Sequence, residues 1–128
     1  MFQRNDSLFV FDYYRDQLMI FDKEGRQLDS IPIYHHYHPK ETGWKKNLIQ
    51  DRVTGQIYAV MHLAGYTYIR NVNTTTGKLE DKVQLEYRYV EKVEIHNNEV
   101  YYIYRPYESP LKKYLYKERL PMFYQKQK

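Results

Sequence analysis

Apolar and polar residues alternate, or run apolar, over stretches of five to eight residues rich in β-branched and aromatic types. That period predicts strands rather than helices. Residues 8–14 and 17–21 are separated by Arg15-Asp16, and the second stretch closes at Asp22-Lys23-Glu24-Gly25, a turn sequence. Residues 28–34 read as the next strand, and Pro32 assigns it to a sheet edge because it has no ladder donor. A polar segment holding His35, His36, His38, Pro39 and Gly43 follows. The order then restarts with strands at 45–50, 56–62, 66–72 and 78–87, punctuated by Asp51 to Gly55, Ala64-Gly65 and Asn73 to Gly77. Residues 90–96 turn at Asn97-Asn98 into 99–104, since Asn tolerates the left-handed backbone of a tight hairpin. A last stretch, 112–117, follows Pro106 and Pro110; Ser109-Pro110 with Leu111, Tyr114, Leu115 and Glu118 would equally fit a short helix over 110–120. The repeat favours strand.

Strands beginning near Leu8, Ile57 and Val100 are spaced by 49 and 43 residues. Each is followed by a short turn and a second strand, and in the first two repeats that strand ends at a turn closed by glycine (DKEGR, NTTTGK). Four short antiparallel strands per roughly 40 to 50 residues is the arithmetic of a β-propeller blade. The expected fold is all-β, about three four-stranded blades over 1–34, 45–87 and 90–120, in one partial six-bladed propeller domain spanning 1–128. The third blade has no clear fourth strand. The segment Pro121 to Gln125, at the start of a basic tail at 121–128, is the candidate to supply it.

Composition refines this picture. The 128 residues are 42% hydrophobic yet have a mean hydropathy of −0.85, because 16 of them are Tyr, so the core must use amphipathic rings. Aromatics at 17% exclude a disordered or low-complexity chain. No apolar run is long enough for a membrane span, and residues 1–6 lack the apolar region of a signal peptide. With no Cys there is no disulfide, thiolate metal site or Cys nucleophile. The net charge of +4 is concentrated at 112–128, where six basic residues face only Glu118. A solvated tail is the expected reading.

The runs SLFVFDYYRDQLMIFDKEGRQL, WKKNLIQDRVTGQIYAV and VEIHNNEVYYIYRPYESPLKKYLYKERL resemble the C-terminal half of six-bladed β-propeller proteins of NHL-like architecture, abundant in Bacteroidetes and often exported as lipoproteins. The resemblance covers residues 6–120 and implies the fold and a cell-envelope or periplasmic location more than an activity. About three blades in place of six leave faces that need a neighbour. The expected partners are a second copy of the chain or the remaining blades.

Candidate chemistry is sparse. His35, His36 and His38 are the densest titratable cluster, but Glu41 is the only nearby carboxylate, so a polar inter-blade loop is expected rather than a metal site. Ser7, Ser30 and Ser109 lie at strand starts or turns without a base beside them, and Asp12, Asp16 and Asp22 read as turn formers. Neither GxGxxG nor GxxxxGK[ST] occurs. Tyr rings and Trp44 can stack on sugar faces, though wedge packing between blades explains most of them. Aromatic and basic residues interleave at 104–107 and 112–116, but without a nucleic-acid signature that partner is not expected. The expected function is a non-catalytic binding or interaction module for a carbohydrate or peptide, without cofactor. Its ligand-binding candidates are His36, His38, Trp44, Tyr66, Tyr104 and Arg105. The alternative is a hydrolase or lyase using channel His and carboxylate residues and a divalent metal, on fold analogy alone.

Overall fold

The computed structural model describes residues 1–104 and 114–121. The chain is all-β, with three antiparallel sheets of three or four strands. The first holds β1 (Phe2–Arg4), β2 (Ser7–Asp12), β3 (Gln17–Asp22) and β4 (Gln27–Pro32) in chain order. A four-residue helix, α1 (Pro39–Thr42), leads into the second, which holds β5 (Trp44–Gln50), β6 (Ile57–Leu63), β7 (Tyr66–Asn71) and β8 (Val83–Gln84). The third holds β9 (Glu91–His96), β10 (Glu99–Tyr104) and β11 (Tyr114–Arg119).

Most strand expectations hold to within two residues. Two do not. Residues 78–87 form only an isolated bridge, Val72 to Leu79, and the two-residue β8, because Glu80-Asp81-Lys82 offers no apolar face to the core. Residues 114–119 are strand and not helix, paired along their whole length from Tyr104↔Tyr114 to Glu99↔Arg119. Lys112 and Lys113, Arg105 and all but Pro121 of the 121–128 tail lie outside the described residues, so the candidate fourth strand is not addressed.

The period-two alternation of β6 shows how the sheets assemble. Ile57, Ala59 and Met61 face the first sheet and join Phe9, Leu18, Ile31, Ile33, Trp44 and Val72 in one apolar core. Tyr58 and Val60 face the opposite way, into a second core with Ile69, Leu85, Ile95, Val100, Tyr102 and Leu120. The middle sheet is therefore covered on both faces, and β6 is buried from Ile57 to Met61. Each large apolar side chain removed from water there contributes about 1.5–3 kcal/mol.

Polar contacts fix the spacing between sheets. The turn after β5 is closed by Gly55 N–H donating to Asp51 O at 2.7 Å and Asp51 N–H to Gln56 O at 2.9 Å. The Asp51 carboxylate accepts from Val53 and Thr54 in its own turn. It also reaches the third sheet, accepting from Asn97 N–H at 2.9 Å and Asn98 N–H at 2.6 Å. Asn98 in turn donates through Nδ2 to Leu120 O at 2.9 Å. At the other seam Gln50 Nε2 donates to Gln3 O at 2.6 Å, and the Arg4 guanidinium donates to Thr74 Oγ1 while lying over the Phe9 ring.

Candidate functional site

The chain between β4 and β5 crosses from the first sheet to the second, and its aromatic and imidazole side chains gather where the two sheets meet. Tyr13, at the end of the β2 stretch, is the hub. Its ring centroid lies 5.3 Å from that of His35, 5.0 Å from His36 and 5.7 Å from Trp44. His35 and Trp44 meet edge-on at 4.9 Å, and His36 and Tyr37 at 4.7 Å. These are the separations at which offset and T-shaped ring pairs gain energy beyond their buried area.

Two hydrogen-bonded units hold the rings in place. Tyr13 Oη lies 2.9 Å from His35 Nε2. Burial first, then the neighbouring His36 and Arg70, pull the His35 pKa down to about 4, so the imidazole is neutral at pH 7, and its tautomer decides which of the two groups donates. Burial likewise raises the Tyr13 phenol. The second unit is centred on Asp16, in the left-handed region at φ 55°. Its Oδ2 accepts from Tyr37 Oη at 2.6 Å, and its Oδ1 lies 2.7 Å from His36 Nε2. The bonds from Tyr37 and then His36 hold the Asp16 carboxyl below its ordinary value. Three buried nitrogens in the cluster, His35 Nδ1, His36 Nδ1 and Trp44 Nε1, have no hydrogen-bond partner among the described residues. Each orphaned buried group costs about 1–3 kcal/mol.

The cluster separates two open clefts. One, of about 590 Å³, is lined by Tyr13, Tyr14, His36, Pro39, Trp44, Lys45 and Lys46. The other, of about 540 Å³, lies on the far side against β7; His35, Tyr37, His38 and Arg70 line part of it. Both fall in the size range of small-molecule sites, ~300–1,000 Å³.

Of the sequence candidates, His36 and Trp44 line the first cleft and His38 the second, so the two histidines face opposite sides of the cluster. No strand joins them; His38 instead starts α1 at φ 54°. Tyr66 is remote, its ring covered by the Arg88 guanidinium at 4.3 Å. Tyr104 stacks on Tyr87 at 4.3 Å in the third sheet, a packing role. Arg105 lies outside the described residues. Sequence reasoning passed over Lys45 and Lys46, which the Gly-Trp-Lys-Lys run after the histidine segment would have flagged. Asp16, read as a turn residue, is also the partner of His36.

An Asp–His pair at 2.7 Å can orient a general base, but His36 Nδ1 makes no hydrogen bond to a hydroxyl or any other group of the described residues. Those residues contain no group of three or more His, Asp or Glu suited to a metal ion. None of their helices is long and apolar enough to cross a membrane. No family model, curated protein or solved structure matches the chain.

Proposed function

We propose that the chain is a non-catalytic binding module built from about three blades of a six-bladed, NHL-like β-propeller, with its ligand site at the seam of the first and second sheets. The observation carrying this reading is the pair of clefts on either side of one ring cluster, where aromatic faces and polar edges converge. The blade assignment is supported by consecutive sheets of sequentially ordered strands, each packed on the next. A cell-envelope location, as the resemblance implies, belongs to the same proposal.

The first sheet also has a face for a neighbour. Phe9, Leu18 and Ile31 point to the second sheet, so Leu8, Val10, Met19 and Phe21 form the opposite face, paired as Leu8↔Phe21 and Val10↔Met19. Another sheet is the natural cover for a half-buried apolar face of this kind. A second copy would supply it with its third sheet, closing a ring of six.

Light scattering on the purified chain should give twice 15.8 kDa, and Val10→Lys should return it to 15.8 kDa. Trp44 is the single tryptophan, so its emission reports the cleft. A panel of oligosaccharides and short peptides should contain a class that changes it saturably and is recovered chemically intact. A silent panel, or a ligand that is turned over, overturns the reading.

A further inference from the structure

The cleft lined by Trp44 contains a backbone irregularity that alternation alone would not produce. Trp44 pairs with Met61 and Leu48 with Ala59, so residues 45–47 of β5 stand opposite Val60 alone. In a regular strand Lys45 and Lys46 would project from opposite faces. The bulge, with Lys46 in the left-handed region at φ 60°, brings both side chains to the same cleft. A similar bulge recurs in β9 at Lys92, φ 53°, so the irregularity belongs to the first strand of both sheets, and what is particular to β5 is that it re-aims two ammonium-bearing side chains beside an exposed ring. Neither ammonium lies within ion-pairing distance of a carboxylate among the described residues. Across the cleft stands Tyr14, a large ring left 95% exposed at the tip of the β2–β3 turn.

We propose that this cleft binds an acidic sugar, a pyranose whose carboxylate meets Lys45 and Lys46 while its C–H face stacks on Tyr14 and Tyr13. The inference rests on the binding-module reading and assigns its ligand class. Two unneutralised point charges select an anion, and compact ammonium groups ask for no planar bidentate partner. An exposed tyrosine beside them selects a ligand with a flat apolar face. An extended acidic peptide is the poorer fit. It would add along the edge of β5 away from β6, and the bulge breaks the regular strand there.

The test is titration of Trp44 emission with a tetragalacturonate and with its fully methyl-esterified form, which keeps the ring faces and lacks the charge. At low salt the acid should bind about tenfold tighter than the ester, the effect of two exposed ion pairs, and the gap should narrow as salt screens them. Lys45→Gln combined with Lys46→Gly should abolish the preference, the acid then binding no tighter than the ester. The glycine keeps the left-handed backbone unstrained. Tyr14→Ala, at a site too exposed to affect folding, should weaken both ligands. Equal binding of acid and ester overturns the acidic-sugar assignment and leaves the binding module standing, as does tighter binding of an oligoglutamate peptide. If neither sugar binds while another class in the panel does, the assignment falls alone. If no class binds, both fall.

Discussion

Asp51→Ala is expected to cost about 3–5 kcal/mol in chemical unfolding, more than any other single polar substitution among the described residues. The carboxylate is fully buried and accepts four backbone N–H groups, from Val53, Thr54, Asn97 and Asn98. Alanine strands all four donors at once, and the Asn98 amide, the most buried, has no route to water. Asp51→Asn keeps one acceptor oxygen and should lose roughly half as much. The loss should be local. Amide exchange should accelerate across β9 and β10, whose connection loses its anchor, and leave β2 and β3 near their original rates. Uniform acceleration in all three sheets would refute the anchoring role.

The same carboxylate sets an acid limit. Burial pushes the Asp51 pKa up, but the N–H groups of Asn98, Asn97, Val53 and Thr54 outweigh it and hold the folded value below the ordinary 3.8. The stabilisation is therefore present above about pH 3.8 and is lost as pH falls through the lower folded value. His35 acts in a separate window. Its folded pKa of about 4 lies under the ordinary 6.5, so the unfolded chain takes up a proton that the folded chain refuses, and stability declines from pH 6.5 down to 4. Asp51→Asn should flatten the lower limb of the pH–stability curve, and His35→Phe the upper.

Legibility of the fold followed the size of the local signal. Turns announced themselves because their chemistry is short-range. Asp51 and Asn73 each accept, through the side chain, from the backbone N–H groups two and three residues on, and a glycine closes both turns. Alternation located β6 and β7 because it decides which core each side chain enters. The edge segment 78–87 is strand over a shorter length than its alternation predicts, since an outer strand is paired on one side only and alternation there is not enforced by packing. The site was half legible. Trp44 and His36 were visible by type, but their meeting with Tyr13 and Asp16 depends on a crossover that composition does not encode. The Lys45–Lys46 bulge has no sequence mark, because no glycine or proline announces its positive φ.

Gly77→Ala should be nearly as damaging as Asp51→Ala, and comparison with Gly25→Ala separates the two reasons why. Both glycines close turns with positive φ, at 79° and 88°. An alanine in that region costs about 1–2 kcal/mol from contact between Cβ and its own backbone. At Gly25 nothing else lies within 4 Å of the added carbon, so the substitution should cost that amount and no more. At Gly77 the carbon would sit 2.3 Å from the Pro32 carbonyl oxygen and 3.0 Å and 3.2 Å from methyl groups of Ile31 and Ile33. Main chain cannot swing aside as a long side chain can. The turn after β7 must retreat from β4, opening the apolar core shared by the first two sheets and widening the cleft that Gly77 and Pro32 line. The expected loss is about 3–4 kcal/mol, with the excess over Gly25→Ala measuring how tightly the sheets are pressed together. Urea unfolding of the two variants beside the parent chain gives both numbers. Equal losses would mean that only the left-handed backbone matters at these turns, and that the seam between the first and second sheets yields easily.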